Sequence, residues 1–388
     1  MAKNIVIFGA TGSVGRSSIN VLRRNREKIN IVGIAANSNV EKLSEIAREF
    51  NVQNIGIGDP KSLIGKEDLF NKNTKFFLGD EGLCELAQLK NSDSILMAID
   101  CAKGIFVTLA GIRAKKNILL ASKEVLVVAG KYVMEEASNN GINILPVDSE
   151  HNAIFQCLHG ERREDIERLI LTASGGPFRK FSKDELEHVT VEQALKHPTW
   201  NMGEKITIDS ATMANKGFEI IEAHWLFGVQ PDKIDVVVHP ESIIHSMVEF
   251  KDHSIIAQMC PTNMEFPIEN CLFFPNRNKN TLQGLDFSHL PTITFEEPDI
   301  EKFPCLKIAK DCLSSDSNAC AVFQAADETA VDLFLQKKIR FTQIADIIKS
   351  TLDTYSGEKN ESLEDSIITL NKAKKIASDI ACHLYNSR

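Results

Sequence analysis

The chain has 388 residues, 43% hydrophobic and 25% charged, the balance of a folded protein with length for two or three domains. Its net charge of −9, from 44 basic and 53 acidic residues, argues against nucleic-acid binding, since the one basic cluster at Arg23, Arg24 and Arg26 reads as a solvated helix end. No apolar run approaches the roughly 20 residues needed to span a bilayer, and the apolar run at 5–8 is too short for a signal-peptide core, so we expect a cytoplasmic protein that binds no membrane.

Along the first part of the chain, short apolar runs at 5–8, 31–35, 54–57, 75–78, 95–99, 118–120 and 142–145 read as strands. Amphipathic stretches at 13–25 and 40–50 read as the first two helices between them. This alternation predicts a Rossmann-like, doubly wound parallel α/β sheet over residues 1–146. From residue 168 the pattern changes. Strand-like runs stand at 169–172, 206–208, 234–238, 243–250 and 254–259, the last two joined as a hairpin through Lys251, Asp252 and His253. One long helix is expected at 210–227, stopped by Gly228 with Pro231 beyond. We therefore expect a central α+β catalytic domain over 147–275, a polar, Pro-punctuated linker over 276–300 and a C-terminal helical bundle over 301–388. The nine cysteines form no CxxC pair, and Cys101, Cys157, Cys260 and Cys271 read as buried structural thiols rather than nucleophiles.

Gly9, Gly12 and Gly15 follow the first strand directly and open the first helix. Glycines there permit a tight turn and close approach of backbone to a pyrophosphate, and the helix N-terminus offers its N–H groups to the phosphates. The spacing is G-x-x-G-x-x-G, and its place in the first βα turn favours a dinucleotide over a merely structural turn. The second strand ends in Asn37, Ser38 and Asn39, with no acidic residue to hold a ribose 2′-hydroxyl. Either these side chains serve the 2′-phosphate of NADPH, or the stretch is a plain polar loop.

Asp148 and Glu150 close another strand, where side chains two apart face the same way. Alone they are more often solvated charges than ligands. Asn215, Lys216 and Glu219, spaced i, i+1 and i+4, share one helix face, which Gly217 is expected to keep open; Ser210 could cap that helix. Three carboxylates, Asp148, Glu150 and Glu219, make a hard oxygen site for Mg2+ or Mn2+, although Glu219 also reads as a surface partner of Lys216. Ser174, Gly175 and Gly176 end a strand with donors suited to an anion. Residues 174–203, with glycines at both ends and weakly amphipathic segments between, are expected to form a mobile lid carrying His197, Trp200 and Met202; packing is the plainer reading of that Trp and Met.

Gly9 to Gly15, Ala121-Ser122-Lys123-Glu124, Val147 to His151, Thr172 to Phe178, His197 to Gly203, Ser210 to Glu222 and His239 to Val248 together resemble the 1-deoxy-D-xylulose 5-phosphate reductoisomerase family, in the family's order and over most of the chain. The resemblance implies an NADPH-dependent reductoisomerase of isoprenoid biosynthesis that converts 1-deoxy-D-xylulose 5-phosphate to 2-C-methyl-D-erythritol 4-phosphate with Mg2+, Mn2+ or Co2+, as a homodimer. It implies Asp148, Glu150 and Glu219 as metal ligands, Ser174, Ser210, Asn215 and Lys216 on the phosphate, and Ser149, Lys123 and His197 on the substrate backbone, with Trp200 over it. Catalysis would rest on Lys123, Asp148, Glu150, Glu219 and His197. The NADPH site would take Thr11, Gly12, Ser13, Val14, Asn37, Ser38, Asn39, Ser122, Lys123, Glu124, Met202, Gly203 and Met264. Ser122 and Asp327 depart from the family's frequent Asn at each place. Two other readings stay open: an NADP-dependent dehydrogenase of another small phosphate ester, and a non-catalytic NADPH-binding regulator.

Overall fold

The computed structural model describes residues 2–386 except 100, 201, 291, 316–317 and 356–361. Asn201 of the expected lid and Pro291 of the expected linker lie outside these residues, as does the Cys101 side chain. The chain forms two compact units: Met1–Val125, Lys131–Asn152 and Asn263–Thr281 in the first, and Leu126–Gly130, Ala153–Thr262 and Leu282–Arg388 in the second.

In the first unit β1 (Lys3–Phe8), α1 (Ser13–Arg23), β2 (Ile29–Ala36), α2 (Val40–Phe50), β3 (Asn54–Ile57), β4 (Lys75–Leu78), α3 (Gly79–Ala87), β5 (Ser94–Met97), α4 (Cys101–Arg113), β6 (Asn117–Leu120), α5 (Glu124–Asn140) and β7 (Ile144–Pro146) alternate as the periodicity predicts. The seven strands form a parallel sheet in the order β4-β3-β2-β1-β5-β6-β7. The winding reverses between β1 and β5, where a doubly wound sheet opens its ligand crevice at the strands' carboxyl ends. Ile5, Val6, Ile7 and Phe8 are all fully buried, as a strand covered on both faces requires.

After β7 come α6 (Ser149–Cys157), β8 (Ile166–Ala173), α7 (Lys183–Leu186), α8 (Val191–Ala194), α9 (Glu204–Thr212), α10 (Ala214–Phe227), β9 (Ile234–Val238), β10 (Ile244–Phe250), β11 (Ile255–Met259) and α11 (Glu265–Phe273). The second unit's sheet runs β11-β10-β8-β9, with β8 and β9 parallel and the β10–β11 hairpin antiparallel. The helix α11 instead belongs to the first unit, packed on α1 and β7 and tied by an Arg24–Glu265 ion pair at 2.5 Å. Beyond it, α12 (Cys305–Leu313), α13 (Ala319–Leu335), α14 (Gln343–Thr354) and α15 (Leu363–Asn386) make the C-terminal helices, with no named strand among the described residues there.

Three local expectations are corrected. Residues 206–208 are helical, inside α9, because Thr207 and its neighbours present a buried face rather than alternating sides. The helix expected at 210–227 is two, parted at Met213, whose backbone is left-handed (φ +62°) and whose following N–H, that of Ala214, bonds the Thr212 hydroxyl at 3.3 Å. Gly217 opens no site face: a Cβ there would lie 2.5 Å from the Ala309 Cβ, so the glycine lets α10 approach α12.

Candidate functional site

In the first unit the turn after β1 is built by backbone crowding. Gly9 sits at φ +82°, and a Cβ on it would lie 2.0 Å from the Ala98 carbonyl oxygen; on Gly15 it would lie 2.2 Å from the Gly9 oxygen. Only glycine fits either position. The turn is anchored by Gly9 and Ala10 N–H groups donating to the Ala35 carbonyl at 3.0 and 2.9 Å. Gly12 opens α1 with no side-chain cap, so no capping side chain takes up the first N–H groups of the helix start that Thr11, Ser13 and Val14 flank. At the end of β2, Asn37, Ser38 and Asn39 are exposed; the Asn39 carboxamide oxygen caps α2 through the Lys42 N–H at 3.2 Å, which leaves its NH2 to donate. The Ser122 hydroxyl donates to the Ile99 carbonyl at 2.7 Å, so this shorter side chain is committed to holding its own loop.

Lys123 and Asp148 form a close pair at 2.5 Å, the lysine almost wholly buried. The expected strand geometry around Asp148 does not hold. β7 ends at Pro146, the Asp148 carbonyl accepts the Asn152 N–H at 2.8 Å, and Glu150 lies in the first turn of α6. Their proximity comes from a helix start instead of strand alternation, with the Ser149 hydroxyl donating to Glu150 at 2.5 Å. Glu124 begins α5, and Met264 begins the turn into α11.

In the second unit β8 delivers Ser174 to a turn whose Gly175 and Gly176 have φ of +81° and +68°. A Cβ on Gly176 would lie 2.9 Å from the Ser210 carbonyl oxygen, so glycine lets the turn abut α9. There the His197 Nε2 stands 3.0 Å from the Ser174 hydroxyl and 3.2 Å from that of Ser210. Its Nδ1 accepts the Trp200 N–H at 2.9 Å, which in the neutral ring puts the proton on Nε2. His197 therefore offers an N–H, and both hydroxyls are free to rotate their protons, around one point where an anion's oxygens fit. On α10 the predicted face is realised: Asn215 Nδ2 donates to Glu219 at 2.6 Å and Lys216 Nζ to its other oxygen at 2.5 Å. The pair is buried rather than on the surface, with Lys216 3% and Glu219 0% exposed.

Each unit offers carboxylate oxygens, the donors that a hard divalent cation takes: Asp148, beside the Lys123 ammonium, and Glu150 in the first, and Glu219, beside the Lys216 ammonium, in the second.

The segment expected as a lid divides. Phe178, Leu186, Val189, Val191 and Ala194 are buried, with Phe178 packed on Phe181 and Phe341 at 5.1 Å each, and capping boxes close α7 and α8. Its apolar surface is thus larger than the weak amphipathicity suggested, because Leu186 of α7 and Val191 and Ala194 of α8 are buried together with Phe178 and Val189 from the turns around them. The stretch from His197 to Gly203 is less enclosed: Trp200 and Met202 are half-buried and Gly203 is exposed. Reading the sequence missed His245, whose ring meets Trp200 edge-on at 6.0 Å. It also missed Lys205, paired with Asp209 at 2.6 Å and Asp327 at 2.9 Å; the i, i+4 spacing of Lys205 and Asp209 was the available signal. The thiols are spectators: burial pushes Cys157 up to about 11 and raises Cys260 and Cys271 as well.

Family models for 1-deoxy-D-xylulose 5-phosphate reductoisomerase match residues 5–130, and for its C-terminal domains residues 144–227 and 259–376. The enzyme of that name from Thermoanaerobacter pseudethanolicus is 47% identical over 96% of this chain and 97% of its own. The one from Lachnospira eligens is 46% identical over 97% and 98%. A solved reductoisomerase from Zymomonas mobilis in complex with NADPH is 41% identical with a TM-score of 0.91, covering 98% of this chain and 99% of its own. Another, in complex with NADPH, fosmidomycin and magnesium, is 38% identical with a TM-score of 0.93 over the same shares. With each segment matched in order and relatives aligned end to end, the chain belongs to the 1-deoxy-D-xylulose 5-phosphate reductoisomerase family.

Proposed function

We propose that this chain catalyses the NADPH- and divalent-metal-dependent rearrangement and reduction of 1-deoxy-D-xylulose 5-phosphate to 2-C-methyl-D-erythritol 4-phosphate, a step of isoprenoid precursor synthesis. The observation that carries the reading is the His197 imidazole shared by the Ser174 and Ser210 hydroxyls, a cradle shaped for a phosphate monoester. A regulator that only bound NADPH has no use for such a cradle.

The roles follow from the groups available. Asp148, Glu150 and Glu219 hold the metal, and Ser174, Ser210, Asn215 and Lys216 hold the phosphate, with His197 donating through Nε2. Lys123 orients Asp148, and the Ser149 hydroxyl orients Glu150. Thr11, Gly12, Ser13, Val14, Asn37, Ser38, Asn39, Ser122, Glu124, Met202, Gly203 and Met264 line the NADPH site. When bound, the metal polarises the substrate carbonyl and stabilises negative charge on oxygen, and NADPH supplies the hydride. The phosphate is remote from the bonds that change, so its grip on the cradle can drive Trp200 and Met202 over the substrate and exclude water.

The domain plan that goes with this reading is an NADPH domain over 1–146, a catalytic domain over 147–275 with a lid inside 174–203, a linker over 276–300 and a helical domain over 301–388. A homodimer is part of the proposal. The edge strand β11 supports it, with Ile255 50% and Ile256 40% exposed at the border of the sheet. A cytoplasmic place is proposed too; among the described residues no helix is long and apolar enough to cross a membrane.

The test is NADPH consumption with 1-deoxy-D-xylulose 5-phosphate. Turnover that requires added Mg2+ or Mn2+ is expected; equal rates in excess chelator would sink the metal assignment, and no turnover under any condition would sink the function.

A further inference from the structure

The second unit holds a charge cluster outside the cradle, two buried carboxylates on a half-buried lysine. Lys205 Nζ lies 2.6 Å from Asp209 and 2.9 Å from Asp327, and 4.5 Å over the Phe218 ring. Both carboxylates are out of solvent, Asp209 at 2% and Asp327 at 0% exposure. Among the described residues Lys205 is the one ionic partner of Asp327. Two buried carboxylates on one ammonium are a poor way to gain stability, since desolvation offsets most of the attraction. What such an arrangement does fix is geometry.

Its position says which geometry. Lys205 stands in the first turn of α9, two residues after Gly203, where the stretch carrying His197 and Trp200 ends. The Thr207 hydroxyl, bonded to the Gly203 carbonyl at 2.7 Å, ties that root to the same turn. Asp209 immediately precedes Ser210. Asp327 comes from α13 and Phe218 from α10, between Lys216 and Glu219 in sequence. Lys205 near one end of the 203–210 stretch and Asp209 near the other thus meet at one ammonium, which lies against Asp327 of α13 and the Phe218 ring of α10.

We infer that Lys205, held by Asp209 and Asp327, is a positioning residue that keeps the Ser210 hydroxyl within reach of His197 and so sets the cradle's affinity for a phosphate monoester. This rests on the reading of the Ser174–His197–Ser210 group as the phosphate cradle. The clamp touches neither substrate nor cofactor. It acts through the placement of α9, where a displacement of about 1 Å can lower activity by roughly a hundredfold.

The experiment uses the full-length protein and inorganic phosphate as the probe, titrated by calorimetry in the presence of NADPH. The variant K205M/D209N/D327N removes all three charges together with near-isosteric groups. It should keep the wild-type melting temperature within a few degrees and the wild-type NADPH affinity. Its phosphate Kd and its KM for the sugar phosphate should both rise about tenfold, with kcat changed less than about threefold. Phosphate Kd and KM within about twofold of wild type would overturn the clamp. If the triple variant unfolds, Lys205→Arg, which keeps the positive charge but changes its reach, is read the same way: a rise of about threefold supports the clamp and an unchanged Kd overturns it. Ser210→Ala separates the two layers. A raised phosphate Kd there with an unchanged triple variant defeats the clamp alone; an unchanged Kd in Ser210→Ala defeats the cradle reading, and the clamp with it.

Discussion

The turn at Gly9 to Gly15 and the cradle at Ser174, His197 and Ser210 are both candidate anion sites, built by opposite means. The first is made of backbone. Seven consecutive residues and the two neighbouring strands suffice, and its requirement is the absence of side chains, since a Cβ at either end would strike a carbonyl at 2.0 or 2.2 Å. The second is made of side chains brought from residues 174, 197 and 210, and its glycines only shape the turn, Gly176 letting it abut α9 and Gly175 making room for Arg179 and Val238. A backbone site tolerates change in its side chains but not in its glycines, whereas a side-chain site fails one donor at a time. The carboxylates proposed as metal ligands should be more exacting than either, because a neutral amide binds a hard cation poorly.

That contrast ranks the expected effects. Asp148→Asn, Glu150→Gln and Glu219→Gln should each lower turnover by about a thousandfold or more while leaving NADPH affinity within about twofold. Steady-state kinetics at saturating Mg2+ beside an NADPH titration checks this, and near-normal rates in all three would remove the metal from the account. Gly9→Val should lower NADPH affinity by roughly a hundredfold and destabilise the protein by about 2–3 kcal/mol, from overpacking at a left-handed position. A variant that bound NADPH normally would mean the backbone turn is not the pyrophosphate site.

The cradle should respond in smaller steps. Ser174→Ala should raise KM for the sugar phosphate about tenfold, the worth of one hydrogen bond to a charged group, with NADPH binding unaltered. If NADPH affinity fell with it, the two sites would not be separable as described. The smallest effect concerns the buried thiols. Burial holds Cys157 near 11 and Cys312 near 12, far above pH 8, so the thiolate that alkylating reagents attack is scarce. In native protein at pH 8, mass spectrometry should find both unlabelled while exposed Cys382 reacts.

The same contrast explains what could be read in advance. The parallel sheet was legible because its strands are short apolar runs parted by amphipathic helices, and the glycine turn because its constraint is local. The Asn215, Lys216 and Glu219 face was legible because helical spacing places it. Asp148 and Glu150 were found for the wrong geometric reason: the strand stops at Pro146, and a helix start, invisible to a period of two, holds them. The break at Met213 escaped because a non-glycine residue takes the left-handed conformation only where tertiary packing holds it. Gly217 was misread because its need, close packing on Ala309, lies 92 positions along the chain. The docking of Phe178 on Phe341 is equally non-local, so the segment looked freer than its contacts allow.

The account stands on rearrangement and reduction occurring together in this chain, and product analysis with isotopically labelled cofactor tests that most directly. With 1-deoxy-D-xylulose 5-phosphate, Mg2+ and NADPH deuterated at the transferring position, the account predicts a branched polyol phosphate carrying one deuterium. Deuterium in an unbranched polyol phosphate would contradict it, and would leave a simple NADP-dependent dehydrogenase in its place.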